Sequence, residues 1–318
     1  MSDIKLFSQA GEVFTELTGS FAALESDLQK QIESNMLAFL GVQFLATEYA
    51  TGKTHKGRID SLGLDENGCP VIIEYKRAKS DNVITQGLYY LDWLLDHQAE
   101  FQLLVMEKLG NETADTIEWM GARLICIAAD YNKFDEHAIQ QIDRNIELMR
   151  YRYFGGDLLL LELVNAQSMV YQAKSKPTIP PADINSIASS KNSVDKSRSD
   201  KSQAERFADA SPELVSIFED LCRFTEQLGD EVQRKDLKLY TAFKRIKNFA
   251  SIVMMTGKKD PKLQIYLKLP GDKAEGSAFS RDVSNIGHWG TGNFEVNVRT
   301  IADLEKTKEL IIKSYERS

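Results

Sequence analysis

The sequence predicts an α/β fold in which a mixed sheet is flanked by helices, followed by a smaller α+β domain. Two observations support this prediction. Apolar residues at helical spacing alternate with strand-like apolar runs over the first half of the chain, and a stretch rich in serine and proline separates that half from a second set of helices and strands. The first half reads helix, hairpin, helix, strand, helix, strand, an order that predicts a mixed sheet.

The predicted elements of the first half are local patterns in the chain. A helix is expected over residues 23–41, because apolar residues recur at helical spacing and Gly41 follows them. A hairpin of strands at 58–65 and 70–77 comes next. The remaining predicted elements are a helix at 80–97, a strand at 122–129, a helix at 136–150 and a strand at 157–164.

Composition shifts predict three segments. Residues 1–174 form the first domain, residues 175–210 a flexible linker with three prolines and many serines, and residues 211–318 an α+β accessory domain. In this last domain we expect a helix at each end with strands between them, at 239–245, 249–257, 263–270 and 294–300.

Composition also excludes several classes of protein. The 318 residues are 42% hydrophobic and 27% charged, which is enough for a sizeable core. Cys69, Cys126 and Cys222 lie far apart without a CxxC spacing, so we expect buried thiols in a reducing cytoplasm. The start of the chain does not resemble a secretion signal, and no window is long and apolar enough to cross a bilayer. We therefore expect a cytoplasmic protein without a membrane partner.

The net charge of −8 is unevenly distributed. Residues 1–174 contain 15 Lys and Arg against 26 Asp and Glu, whereas residues 211–318 contain 18 against 16. The two parts therefore carry −11 and +2 by these counts. A polyanionic substrate would approach the first domain against its own field unless cations lie close to the site.

The turn of the predicted hairpin decides which side chains share a face. A two-residue turn at Asn67 and Gly68 would pair Asp60 with Tyr75 and place Glu74 on the face opposite Asp60. A three-residue turn that includes Glu66, with Gly68 in the left-handed conformation, would pair Asp60 with Glu74 instead. We favour the three-residue turn because it keeps apolar residues of both strands together beside the acids.

The favoured register places Asp60, Glu74 and Lys76 on one face. Facing carboxylates repel, and burial beside apolar neighbours is costly unless a cation lies between them. Asp60 and Glu74 offer hard oxygen ligands and the backbone carbonyl of Tyr75 adds a third, a set that suits Mg²⁺ or Mn²⁺. Lys76 can orient or deprotonate an attacking water. This pattern predicts phosphodiester hydrolysis.

Other hydrolytic chemistries fit less well. A retaining glycosidase could use Asp60 and Glu74, since facing strand positions lie about 5 Å apart, but it would not require Lys76 on the same face. The chain contains neither an HExxH motif nor a GxSxG motif, so zinc hydrolysis and a serine triad lack support.

Asp60 followed by Glu74, one further residue and Lys76 resembles the signature of the PD-(D/E)xK nuclease superfamily, and GRID followed by VIIEYK is similar to its NucS-like branch. The resemblance covers residues of roughly 20–165. It implies a restriction-endonuclease-like sheet and a Mg²⁺- or Mn²⁺-dependent endonuclease. Ile59 stands where the superfamily often has proline.

Three further residues extend the resemblance. The superfamily often places a glutamate on the first helix, which Glu33 matches, and RecB-like members place a glutamine and then a tyrosine on the helix after the lysine, which Gln86 and Tyr90 match. The resemblance implies catalytic roles for all three residues beside those of the motif itself. Two of them have an alternative: Glu33 as an exposed helix residue, and Tyr90 as a ring packed against the sheet.

The predicted partner is a nucleic acid, DNA rather than RNA. Two groups of cations are expected to contact its phosphates: Arg58, Arg77 and Lys79 around the motif, and Lys244, Arg245 and Lys247 in the second domain. The alternative for each of them is an ordinary surface charge. A homodimer is an open option, because dimers are common where both strands are cut.

The C-terminal domain resembles a domain of unknown function that accompanies such nucleases, and we expect it to aid substrate or partner binding. The competing hypothesis is a non-catalytic nucleic-acid-binding or scaffold protein that retains the nuclease fold.

Overall fold

The computed structural model describes residues 4–79, 82–167, 201–257, 259–269, 279–286 and 290–318, and for Lys53, Thr54, Lys79 and Gln167 it describes the backbone alone. Most of the predicted linker therefore lies outside the described residues. The described part forms two regions that pack against each other, one up to residue 167 and one from residue 201 onward.

The first region contains nine strands and seven α-helices among the described residues. The strands are β1 (Leu6–Ala10), β2 (Val13–Leu17), β3 (Gly19–Ser20), β4 (Val42–Ala50), β5 (Arg58–Asp65), β6 (Pro70–Lys79), β7 (Arg123–Asp130), β8 (Asn145–Phe154) and β9 (Leu158–Gln167). The helices are α1 (Glu25–Ser34), α2 (Met36–Leu40), α3 (Gly52–His55), α4 (Val83–Asp96), α5 (Gln98–Leu109), α6 (Asn111–Asp115) and α7 (Lys133–Gln140).

Seven of these strands form one mixed sheet. Their order is β3-β8-β7-β6-β5-β4, with β9 paired to β8. The neighbours β6, β7 and β8 run parallel, and the other pairs are antiparallel. β7 is almost wholly buried and both faces of the central sheet are covered by helices, as is usual for parallel strands. The predicted mixed sheet flanked by helices is confirmed.

Helices cover the two faces of this sheet with separate apolar cores. On one face, α1 and α2 pack over the apolar residues of β6 and β7, among them Val71, Ile73 and Ile125. On the other face, α4 and α5 pack over the alternate positions, including Leu62, Ile72 and Leu124. The period-two alternation along β5 and β6 thus assigns each side chain to one helical layer.

The second region is the smaller α+β unit that the sequence predicts. Its helices are α8 (Gln203–Asp209), α9 (Pro212–Glu226) and α10 (Ile301–Glu316). Its strands are β10 (Gln233–Asp236), β11 (Thr241–Lys244), β12 (Asn248–Met255), β13 (Lys262–Leu267), β14 (Ser280–Asp282) and β15 (Phe294–Val298). They form one antiparallel sheet in the order β10-β11-β12-β13-β15-β14, and α9 and α10 pack on it.

Several elements differ from the sequence-based prediction, and three of these differences bear on the site or on the domain boundary. Residues 145–150 form the start of β8 and not the end of a helix, because α7 ends at Gln140. β4 is an edge strand that the prediction lacked. α8 lies within the predicted linker, where Arg206 is buried and donates a hydrogen bond to the carbonyl of Met254, so the second region begins before residue 211.

All three cysteines are buried and unpaired, as expected for structural thiols. Within the described residues, no helix combines the length and the apolar character needed to cross a membrane.

Candidate active site

The turn between β5 and β6 adopts the three-residue form and sets the register of the site. Gly68 has a positive φ of 74°, and Asp65 Oδ1 accepts hydrogen bonds from the backbone N–H of Asn67 at 2.8 Å and of Cys69 at 2.9 Å. The backbone N–H of Asp65 in turn donates to the carbonyl of Cys69 at 2.9 Å. These local bonds close the turn that we favoured from the sequence.

This register brings Asp60 and Glu74 to facing positions. The ladder between β5 and β6 continues to the pair Ser61 and Ile73, and Asp60 and Glu74 are the next residues along each strand. At this position, carboxylate oxygens accept the hydrogen bonds that backbone carbonyls would accept in a regular ladder. Asp60 Oδ2 accepts from the N–H of Tyr75 at 3.0 Å, and Glu74 Oε1 accepts from the N–H of Asp60 at 3.1 Å. Each carboxylate is therefore anchored to the neighbouring strand.

The second oxygen of Glu74 is the exceptional atom of the site. Glu74 is 0% exposed, and its Oε2 is buried without a hydrogen-bond partner among the described residues. A buried carboxylate oxygen without a partner carries a large desolvation cost. Such an atom needs either a proton or a cation.

Burial raises the pKa of both carboxyl groups. Desolvation is the largest cause in each case, and it raises the pKa of Asp60 to about 6 and, together with the charge of Asp60, that of Glu74 to about 9. The backbone hydrogen bonds and the ammonium group of Lys76 oppose both shifts, whereas Glu48 adds to them. At neutral pH and without a cation, Glu74 therefore carries a proton.

Lys76 lies on the same face and is held by a residue that sequence reasoning missed. Its Nζ lies 3.3 Å from Glu25 Oε1, and the N–H of Arg77 donates to Glu25 Oε2 at 2.9 Å. Glu25 stands in the first turn of α1, so this helix end is joined to the end of β6. The Lys76 side chain is 25% exposed and can reach solvent at the site.

Glu33 is placed on the other side of the sheet from the pair. Its Oε1 accepts from Ser61 Oγ at 2.6 Å and from Gln29 Nε2 at 3.1 Å. Ser61 is adjacent to Asp60 in β5 and so faces the α1 layer, where it also bonds Tyr75 Oη. The predicted catalytic role of Glu33 is not supported, because these contacts direct its carboxylate away from Glu74.

Gln86 and Tyr90 lie one turn apart on α4, as their spacing predicts. Gln86 is half-buried. The Tyr90 hydroxyl accepts a hydrogen bond from the N–H of Arg58 at 3.3 Å, and its ring packs in the core of the α4 layer. Tyr90 therefore supports the start of β5, and the alternative interpretation of a ring packed against the sheet is the better one.

The cations predicted around the motif lie at its rim. Arg58 pairs with Glu48 at 3.2 Å and its side chain remains 70% exposed. Arg77 is exposed and its guanidinium donates to the carbonyl of Ala23 at 2.9 Å. The side chain of Lys79 lies outside the described part of the structure. Arg58 and Arg77 are thus accessible to an approaching phosphate.

The three cations predicted in the second region do not form an exposed surface. Lys244 is 1% exposed and its Nζ donates to Glu147 Oε1 at 2.7 Å, so the prediction that it contacts nucleic acid is wrong. Arg245 pairs with Glu231 at 3.1 Å, and Lys247 donates to the carbonyl of Ala38 at 2.9 Å. Both Lys244 and Lys247 belong to the contact between the two regions.

Glu25 and Glu48 are the acids that surround the pair, and neither was predicted. Glu48 lies on β4 and falls opposite Asp60 when the register of β4 and β5 is continued. Its φ of 49° is unusual for a residue other than glycine. Predicting strand β4 would have placed Glu48 beside Asp60, but this strand was not predicted from the sequence.

The donor set fits a hard divalent cation with few protein ligands. Within the described residues, no cluster of three or more His, Cys, Asp and Glu side chains has the geometry of a metal site. Two carboxylates with a backbone carbonyl nevertheless match the habit of Mg²⁺, which keeps several waters and uses one or two carboxylates. The buried Glu74 Oε2 is the observation that fits such an ion best.

Comparison with known protein families gives a match over the second region. A family described as "Domain of unknown function (DUF5655)" matches residues 203–318. An uncharacterized protein of Haemophilus influenzae is 28% identical over 314 residues, which are 97% of this chain and 98% of the relative.

Two solved structures resemble part of the chain, a complex of EndoMS with dsDNA and a repair endonuclease from Pyrococcus abyssi. Each is 19% identical and covers 41% of this chain. The chain spans about half of each, 47% and 48%, with TM-scores of 0.28 and 0.27. These scores are too low to support an argument about function.

Proposed function

We propose that the chain is a metal-dependent nuclease of PD-(D/E)xK type that hydrolyses phosphodiester bonds, with DNA as its substrate. Asp60, Glu74 and the carbonyl of Tyr75 would hold Mg²⁺ or Mn²⁺. The observation that carries the proposal is Glu74 Oε2, a buried oxygen without a described partner next to a second carboxylate and a lysine. A cation at this oxygen would offset the desolvation of both carboxylates.

The residues of the site have distinct roles in this proposal. A bound cation would polarise a phosphoryl oxygen and acidify a coordinated water. Asp60 and Glu74 are kept in place by the N–H groups of Tyr75 and Asp60. Lys76 would exchange its contact with Glu25 for the attacking water, which its ammonium group orients. Arg58 and Arg77 would bind the flanking phosphates.

The proposal is tested by incubating the full chain with labelled DNA and RNA, single- and double-stranded, in Mg²⁺, Mn²⁺ or chelator. We expect metal-dependent cleavage of DNA. Asp60→Asn and Glu74→Gln should abolish it without unfolding the protein, since each removes an anionic ligand and keeps the size of the side chain. Cleavage by both variants at the wild-type rate would disprove the site.

Lys76→Ala is the sharper test of chemistry. Loss of the group that orients the attacking water should lower kcat by about 10²- to 10⁴-fold, while Mn²⁺ binding measured by calorimetry stays within about twofold. Lys133→Ala, an exposed lysine on α7, is the matched control and should change neither quantity. If the wild-type chain binds nucleic acid but cleaves none with either metal, the non-catalytic binding or scaffold hypothesis replaces this one.

A further inference from the structure

A row of aromatic and imidazole rings runs from the core to the surface beside the candidate active site. Trp93 is buried and stacks on His97 at 4.8 Å between ring centroids. His97 meets His55 edge-on at 5.9 Å, and His55 lies 4.9 Å from Tyr89. Tyr89 is 48% exposed. We call Tyr89, His55 and His97 the ring shelf, which ends at the exposed Tyr89.

Hydrogen bonds close the segment 51–57, which contains α3 and His55, and join it to α4. The N–H of Thr51 donates to the carbonyl of Gly57 at 3.0 Å, and the N–H of Gly57 donates to Thr51 Oγ1 at 2.9 Å. Tyr89 Oη donates to the carbonyl of His55 at 3.2 Å. A Cβ at Gly57 would lie 2.5 Å from the Tyr90 ring, so only glycine allows this close approach. The shelf is therefore formed before any ligand binds.

His55 of the ring shelf is followed in the chain by exposed cations and then by strand β5, which carries Asp60. Lys56 is exposed, and Arg58 is 70% exposed in its side chain. Arg58 precedes Asp60 by two residues of an extended strand, a distance of about 7 Å. His55 Nδ1 is buried without a hydrogen-bond partner among the described residues, so the shelf also contains an unsatisfied polar atom.

Rings flanked by cations are the arrangement that proteins use for single-stranded nucleic acid. Base–aromatic stacking supplies affinity, and lysine and arginine bind the backbone phosphates. A base in the interior of a duplex has both faces covered by its neighbours, so it cannot stack on Tyr89. An unpaired base offers a free face.

We propose that the ring shelf binds the base of an unpaired nucleotide close to the scissile phosphate, with Lys56 and Arg58 on the adjoining phosphates. The position of the scissile phosphate rests on the proposed nuclease function. The stacking site itself does not, because it is defined by the rings and the loop.

Binding without cleavage tests the shelf separately from the chemistry. The probe is a fluorescein-labelled oligonucleotide, single-stranded or as a blunt duplex, titrated with the full chain in chelator and followed by anisotropy. Tyr89→Ala should weaken single-strand binding about tenfold or more and change duplex binding less than about twofold. Tyr89→Phe keeps the ring and should bind like the wild type. Phe134→Ala, which removes a 72% exposed ring on α7, is the matched control.

An abasic scan of the same oligonucleotide supplies a test that needs no variant. One position should lose about tenfold in affinity for the wild-type chain, and this loss should vanish for Tyr89→Ala because the ring and the base act as a pair. Equal losses for Tyr89→Ala and Tyr89→Phe, an unchanged Tyr89→Ala, or an abasic effect that persists without the ring would each overturn the shelf.

The two proposals fail in different ways. A chain that binds through Tyr89 but cleaves nothing in Mg²⁺ or Mn²⁺ would disprove the nuclease and leave the shelf standing. A chain that cleaves DNA and binds single strands equally well with Tyr89→Ala would disprove the shelf alone.

Discussion

At the scale of single residues, Glu74 concentrates the unusual chemistry of this molecule. Its Oε1 is bonded to the N–H of Asp60, while its Oε2 is buried without a described partner. A solvent-exposed acid at the same position would repel Asp60 only weakly, because water would screen the charges. Burial makes the ionised pair unfavourable in the absence of a cation and favours the binding of a cation when one is present. This cost should be measurable as a dependence of stability on pH.

We expect the metal-free chain to lose stability as pH rises from about 4.5 towards 9. The folded-state pKa of Glu74 is raised to about 9, so the favourable contribution of its proton is complete below the ordinary pKa of a glutamate and is lost above it. Glu74→Gln should remove this contribution to the pH dependence. At pH 8 in chelator the variant should exceed the wild type in unfolding free energy by about 2 kcal/mol or more, as measured by denaturant titration.

Two comparisons complete that measurement. Glu107→Gln, which removes an exposed acid on α5, should leave the pH profile of the wild type unchanged. Mg²⁺ should stabilise the wild type at pH 8 and have little effect on Glu74→Gln. Parallel pH profiles for the wild type and Glu74→Gln would show that Glu74 is not the buried acid that this structure describes.

At the scale of elements, features determined by a few neighbouring residues could be predicted from the sequence, whereas features that depend on distant contacts could not. The hairpin register could be derived because Gly68 and the side chain of Asp65 form the turn within five residues of chain. The start of β8 could not, since NIELMR fits either a helical or a strand-like pattern and its burial depends on β7 and β9. The helical spacing of apolar residues likewise could not predict which side of the sheet Glu33 faces, because that depends on how α1 packs against the sheet.

Helix α4 carries Tyr89 and Tyr90, and Gly87 determines how closely this helix packs on β7. A Cβ at Gly87 would lie 2.5 Å and 2.6 Å from the two methyl carbons of Leu124. Gly87→Ala gains about 1 kcal/mol of helix propensity, but crowding in a packed core costs about 1–3 kcal/mol. We expect net destabilisation by about 1 kcal/mol, measured as a lower Tm. Thr85→Ala on the exposed face of α4 should not lower Tm, and equal Tm values for both variants would contradict this contact.

At the scale of the whole molecule, the second region packs at the end of the first sheet that lies away from the carboxylate pair. Tyr240 Oη donates to Asn67 Oδ1 at 3.0 Å, and Asn248 binds the same turn. From Asp65 to Asp60 the strand β5 extends about 16 Å. Among the described residues, the second region therefore contributes no side chain to the Asp60 and Glu74 pair.

Buried charges join the two regions. Lys244 of β11 bonds Glu147 of β8 at 2.7 Å, and Arg123 lies 3.5 Å from the same carboxylate and 3.1 Å from Asp65. Burial alone would raise the pKa of Glu147, but Arg123 and Lys244 hold it at about 2. Cys69 also packs in one apolar cluster with residues of the second region. The two regions should therefore unfold together, although the sequence predicts separate domains joined by a linker.

Lys244→Met tests this interface. The variant leaves the Glu147 charge buried with one cation fewer, beside Arg123 and within the field of Lys235, so the unfolding free energy should fall by about 3 kcal/mol in denaturant titration. The double variant Lys244→Met with Glu147→Gln removes this incompletely compensated charge and should recover most of that loss. Lys313→Met, at an exposed position on α10, is the matched control. A single transition is expected throughout, because the shared core couples the regions. Two separate transitions for the wild type, or an unchanged stability of Lys244→Met, would mean that the regions fold independently and that the buried pair contributes little to their contact.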